Sequence, residues 1–187
     1  MPSHVALLRG INVGGVKLAM SDLRAVLSSL GYAEVSTYIQ SGNAVFSTDG
    51  TEPAALAADI EAALDKRLGM RPRVLVLTRD ELAQVIRDNP YPDEPNLKAV
   101  HAVFLAEEPG PDQVAAVAEA EQQATGKGCR DTAQYVGRVL FLHTPDGFGR
   151  SELAVQLARR AGPMSAKGAG TARNWATVNK LLQLCDS

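Results

Sequence analysis

The sequence predicts an α+β protein made of two β-α-β-β-α lobes of the split βαβ type, each with an antiparallel sheet, plus an extra C-terminal helix. Three observations predict it. Short apolar runs of strand length alternate with stripes of helical period. The same order of elements recurs in both halves, the mark of a structural duplication. Pro90, Pro92 and Pro95 crowd one polar stretch near the middle of the chain and read as a linker. The expected organisation is an N-terminal lobe with a short helix over 1–88, a Pro-rich linker over 89–96, and a C-terminal lobe with the final helix over 97–187.

The first lobe opens with His4 to Arg9, an apolar run stopped by Gly10, which reads as a strand. After a Gly-rich loop to Lys17, Ser21 is placed to cap a helix, with Asp22 favourable at its N-terminus. Leu23, Val26, Leu27 and Leu30 form one apolar stripe, and Gly31 supplies the stop. Val35–Gln40 and Asn43–Thr48 read as a hairpin turning at Ser41-Gly42. Pro53 suits the first turn of a second helix carrying Leu56, Ile60, Leu64 and Leu68, and Gly69 ends it. Arg73–Leu77 completes the lobe as a strand. Thr78 and Glu81 then form a capping box ahead of a short helix.

The second lobe repeats this grammar. Leu97–Leu105 reads as a strand, Pro111–Gln123 as a helix, and Cys129–Val136 with Arg138–His143 as a hairpin about Gly137. Ser151 is placed to cap a helix holding Leu153 and Leu157. A Gly-rich stretch over 167–170 then leads into a last helix containing Trp175, Val178, Leu181 and Leu182. By this reading a helix stands where the first lobe has its fourth strand.

Composition narrows the function classes. The chain has 187 residues, enough to bury about 70% of its unfolded surface without disulfide or metal. The net charge of −2 counts against broad contact with nucleic acid, which calls for a basic excess. Cys129 and Cys185 form no C-x-x-C pair, so a disulfide scaffold and a zinc site are not expected. No apolar run is long enough to cross a membrane and no secretory leader precedes the first strand, so the expected compartment is the cytoplasm.

Topology then gathers one candidate site. In a split βαβ lobe the loop after the first strand, the hairpin turn and the turn after the second helix share one end. Here those segments bring Arg9, Asn12, Lys17, Gln40, Ser41, Asn43, Arg71 and Arg73 together, a basic and amide-rich set. Gly14 and Gly15 let backbone N–H groups approach a ligand closely, a combination suited to a small anion such as a nucleotide phosphate. Ordinary turn glycines with solvated cations would look the same in sequence. A second cluster, Thr171 to Trp175, places Arg173 and Asn174 at the expected start of the last helix. A cation there opposes the helix dipole unless an anion or carboxylate offsets it.

Other chemistry finds no support. Gly10 to Lys17 is not a phosphate-binding P-loop, because Val16 separates Gly15 from Lys17 and Leu18 follows where Ser or Thr is required. His4, His101 and His143 have no partner at metal-ligand spacing. No G-x-S-x-G elbow occurs, and Asp131, Asp146 and Glu152 offer no carboxylate pair with assignable roles. No cofactor and no catalytic residue can be named.

Three stretches, Leu8–Gly15, Thr37–Asn43 and Thr171–Trp175, together resemble a bacterial family known only as domain of unknown function 1697. The resemblance implies an α+β fold with ferredoxin-like halves and carries no activity. Three readings of function stand: a small anionic ligand held at the loop end of the first lobe facing Thr171–Trp175, a protein-interaction or oligomerisation module, and an RNA-binding module. The last is disfavoured by the low aromatic content, because sheets that bind single strands stack bases on exposed rings.

Overall fold

The structure is a computed structural model, and it describes residues 1–159, 164–165 and 170–187. Packing divides it into two units, Met1–Gln84 with Asn179–Ser187, and Val85–Val178.

The first unit runs β1 (His4–Leu8), α1 (Met20–Ser29), β2 (Ala33–Tyr38), β3 (Asn43–Ser47), α2 (Pro53–Leu68) and β4 (Val74–Thr78), followed by α3 (Arg79–Arg87). Its four strands lie in the order β2-β3-β1-β4, every neighbour antiparallel. This is the ferredoxin-like arrangement. Alternation along the strands sends Ala6, Leu8, Ala44, Phe46 and Val76 to one face, where they pack with Leu23, Leu27, Ile60 and Leu64 of the two helices. Tyr32 stacks on Phe46 at 4.6 Å and closes that core. The capping box forms as expected: the Thr78 hydroxyl accepts from the Glu81 N–H at 3.1 Å, and the Glu81 carboxylate accepts from the Thr78 N–H at 2.8 Å.

The second unit continues with β5 (Val100–Phe104), α4 (Pro111–Gly126), β6 (Thr132–Val136), β7 (Val139–His143), α5 (Glu152–Arg159) and β8 (Thr171–Asn174) before α6 (Trp175–Cys185). Its sheet order is β6-β7-β5-β8, again antiparallel throughout, so both units have the same topology. Val103, Leu140 and Leu142 pack against Val117, Leu153 and Leu157. Ser151 caps α5 as expected, its hydroxyl accepting from the Ala154 N–H at 2.8 Å.

Several boundaries differ from expectation for local reasons. β8 is the largest difference, because the second unit does own a fourth strand. Four residues that look like a helix start pair instead with β5, Arg173 opposite Ala102. The first helix begins one residue before Ser21 with Ala19 at its N-cap, because Leu18 and Met20 are both drawn into the core. β5 starts only at Val100, since Asn96 accepts from the Lys98 and Ala99 N–H groups and holds 96–99 in a turn. The Gly-rich stretch before β8 falls partly at 166–169, outside the described residues. No helix among the described residues is long and apolar enough to cross a membrane.

Candidate functional site

β1 ends beside the beginnings of both of its neighbours. The Leu8 N–H donates to the Gly42 carbonyl at 2.8 Å, and the Arg9 N–H to the Arg73 carbonyl at 2.9 Å. The loop after β1, the turn between β2 and β3, and the turn after α2 therefore meet at one end of the first unit, as the topology required.

Asn12 organises the first of these loops. It adopts a left-handed backbone, which asparagine tolerates better than most residues. Its side-chain amide donates to the Leu18 carbonyl at 2.9 Å and to the Gln40 carbonyl at 2.6 Å, and its side-chain oxygen accepts from the Leu18 N–H at 3.0 Å. One side chain thus closes the loop and fastens it to the hairpin. Within the loop, Val13 to Val16 is a tight turn, with the Val16 N–H donating to the Val13 carbonyl at 3.1 Å. Gly14 and Gly15 occupy its two left-handed positions, where a side chain would be strained.

Asn43 does the same work for the hairpin. It is fully buried, and its amide donates to the Tyr38 carbonyl at 3.0 Å and to the Ser41 hydroxyl at 2.9 Å. Between these anchors Ile39 is held left-handed with φ 49°, an expensive conformation for a β-branched residue. Its side chain stands half in solvent, as do those of Val13 and Val16 on the adjoining loop. A cleft of about 490 Å³ runs along Asn12–Ala19 and Gln40.

The loops at this end are basic, while α2 brings two carboxylates to them, Asp65 on Arg71 and Glu61 accepting from the Val74 N–H at 2.7 Å. Segments 9–19, 39–42 and 69–73 contain no carboxylate and no histidine. Arg9 is half-buried, and its guanidinium is lowered from its ordinary pKa, first by burial and then by repulsion from Arg73. Lys17 and Arg73 are exposed. Arg71 is bound to Asp65 at 2.8 Å and is already neutralised. Of the expected site residues, Arg9, Asn12, Gly14, Gly15, Lys17, Gln40, Ser41 and Asn43 are gathered here, but Asn12 and Asn43 spend their amides on the protein itself. The Lys17 amine and the Ser41 hydroxyl are the groups in these loops with nucleophilic character, and the loops hold no carboxylate or histidine to activate either.

Arg173 and Asn174 belong to the second unit. Arg173 lies within β8 rather than at a helix start, so the dipole argument for it is corrected. It is buried, one guanidinium nitrogen donates to the Ala172 carbonyl at 2.8 Å, and burial pushes its pKa down to about 10. Asn174 caps α6, its side-chain oxygen accepting from the Thr177 N–H at 2.8 Å. Trp175 meets Phe141 edge-on at 5.8 Å and is a core anchor.

Sequence reasoning missed one side-chain cluster. Glu94, in the Pro-rich segment, meets His143 at 2.6 Å, and the His143 ring stacks on Tyr91 at 5.0 Å. Tyr91 in turn shares a hydrogen bond with Thr132 at 2.9 Å. Partners nearly fifty residues apart leave no local signal. The carboxylates singled out in sequence are also engaged: Asp131 accepts from the Cys129 thiol, Asp146 pairs with Arg130, and Glu152 with Lys127. No group of three metal-ligating side chains occurs among the described residues.

Comparison with known proteins adds the following. A family model described as protein of unknown function (DUF1697) matches residues 1–141. The match includes the loop and hairpin stretches and stops short of Thr171–Trp175. No curated protein matches. Among solved structures, the conserved bacterial protein SP0830 from Streptococcus pneumoniae superposes with a TM-score of 0.74 at 23% identity, covering 98% of each chain. At that identity the likeness speaks for the fold.

Proposed function

The chain belongs to the DUF1697 family, whose function is unknown, and we propose that it binds a small anionic, nucleotide-like ligand at the loop end of its first unit. The observation that carries this reading is the placement of Arg9 next to Arg73 on neighbouring strand ends, with their backbones hydrogen-bonded at 2.9 Å. Two guanidiniums brought together at neighbouring strand ends can pair jointly with one bound anion. Lys17 adds a third cation on a loop that Asn12 already holds in place. A pre-organised loop loses little entropy on binding. The strain at Ile39 supports the same reading, since strained backbone concentrates at ligand sites. A cytoplasmic setting fits the two free cysteines.

The test is a thermal-shift screen of the purified protein against nucleotides and sugar phosphates, with native mass spectrometry for co-purifying ligands. A ligand at a hundred times its Kd stabilises by about 2.7 kcal/mol. We expect a hit that Arg9→Gln and Arg73→Gln each weaken. A screen without hits, or a hit that both variants leave untouched, overturns the reading.

One observation favours a second reading. Val13, Val16 and Ile39 are large apolar side chains left in solvent on two loops that touch. Contiguous exposed apolar groups are a feature of protein-docking surfaces. A flat ligand screen together with association that Val13→Ser disrupts would favour an interaction module.

A further inference from the structure

The loop end of the first unit carries apolar and basic groups side by side. Val13, Val16 and Ile39 are 62%, 44% and 49% exposed. Val13 and Val16 pair across the turn that Gly14 and Gly15 make, so their side chains stand on one face of it. A β-carbon added at Gly14 or Gly15 would meet nothing within 4 Å beyond its chain neighbours, so the turn projects clear of the unit. Ile39 precedes Gln40, whose carbonyl fastens the hairpin to this loop through Asn12. The three side chains are apolar tips on two loops held together.

Cations surround these tips. Segments 9–24 and 61–73 hold seven lysines and arginines against three carboxylates, in a chain whose net charge is −2. Two of the three carboxylates are engaged: Asp65 pairs with Arg71 at 2.8 Å, and Glu61 accepts from the Val74 N–H at 2.7 Å. Lys17, Arg24, Lys66, Arg67 and Arg73 are exposed. Arg24 donates to the Thr37 hydroxyl and Arg67 to the Ala25 carbonyl, both neutral acceptors that leave the positive charge in place.

Apolar tips ringed by exposed cations complement an anionic bilayer. Its interface accepts apolar side chains at the boundary of head groups and acyl chains, and its head groups attract Lys and Arg. A stable protein partner buries about 1,600 Å², where this end offers three apolar side chains. Single-stranded nucleic acid stacks its bases on aromatic rings, and segments 9–24, 39–42 and 61–73 contain none.

We propose that the loop end docks the protein on an anionic membrane surface. Val13, Val16 and Ile39 enter the interface, and the cations around them pair with lipid phosphates. The docking rests on the reading that this end takes an anion, here the phosphate of a lipid.

Vesicle flotation with the whole protein tests it, with phosphatidylcholine alone and phosphatidylcholine mixed equally with phosphatidylglycerol. The mixed vesicles carry the protein, the neutral ones leave it behind, and added salt releases it. Lys17→Gln weakens binding about fivefold, the effect of one cation near such a surface. Val13→Ser weakens it about tenfold by withdrawing two methyl groups from the interface. Both side chains are exposed, so both variants keep the fold. Glycerol phosphate and polyglutamate are titrated in parallel. Glycerol phosphate that binds while vesicles do not overturns the docking and leaves the small-ligand reading standing, whereas failure of both removes the two together. Vesicle binding without a soluble hit supports the docking, because weak contacts add on a surface. Neutral vesicles that bind as well as anionic ones overturn it. So does Val13→Ser binding like the parent, or polyglutamate binding while the vesicles stay bare.

Discussion

The side-chain amide of Asn12 donates to the main-chain carbonyl of Gln40 at 2.6 Å, across twenty-eight positions of sequence. Two segments that bring cations and exposed apolar groups to one end of a sheet are fastened by that bond. The same residue also closes its own loop through both Leu18 backbone groups.

Replacing Asn12 with Ala removes all three of these hydrogen bonds and leaves the left-handed backbone without the local compensation that the asparagine amide offers. We expect a loss of about 2 kcal/mol in urea unfolding. The Leu18 amide, now without its acceptor, should exchange with solvent faster than in the parent, while amides in β5 and β7 keep their protection. Unchanged exchange at Leu18 would contradict the clasp.

Two glycines of the loop end should respond differently to Ala. At Gly42, φ is 78° and an added β-carbon would lie 2.6 Å from Cδ1 of Ile11 and 2.8 Å from the β-carbon of Leu8. Backbone strain and a clash with buried side chains together should cost about 3 kcal/mol. Gly14 is also left-handed but has open space around its missing β-carbon. Gly14→Ala should cost only about 1 kcal/mol, the strain alone. Equal destabilisation, read from denaturant midpoints, would show that the close approach at Gly42 is unimportant.

Acid should weaken the second unit through His101. Its ring stacks on Phe148 at 4.1 Å, and burial lowers its pKa from 6.5 to about 4. Between those values the unfolded chain binds a proton that the folded chain does not, so stability falls as pH falls from 6.5 toward 4. The loss should not exceed about 3 kcal/mol. His4, lowered for the same first cause, acts in the same direction. Urea unfolding at pH 7 and pH 4.5 should show a smaller difference in His101→Phe than in the parent. An equal difference would place the acid sensitivity elsewhere.

The order of elements in the first unit was legible because each one announces itself locally. The stripe from Leu23 to Leu30 has helical period, Pro53 and Gly69 bracket α2, and Thr78 with Glu81 caps α3. The convergence of the three loops followed from that order, because an antiparallel chain has only two ends at which to place its turns. β8 was hidden. Thr171–Asn174 is short and carries an Arg and an Asn, so nothing in its own pattern marks a strand, and pairing with β5 alone makes it one.

The site divides along the same line. Sequence by itself determined which residue types reach the loop end, since connectivity and chain direction suffice to bring Arg9, Lys17 and Gln40 there. It also determined that those loops hold no acid–base pair. Only the tertiary structure decided how each side chain is used. Asn12 and Asn43 turn their amides to backbone carbonyls, Arg71 is neutralised by Asp65, and Arg173 is built into a sheet. The unpaired nitrogen of His4 and the meeting of Glu94 with His143 were settled there too. The physical reason is range. Periodicity and turn chemistry act over a few residues, whereas a hydrogen bond or an ion pair depends on which atoms distant in sequence arrive within about 3 Å of one another.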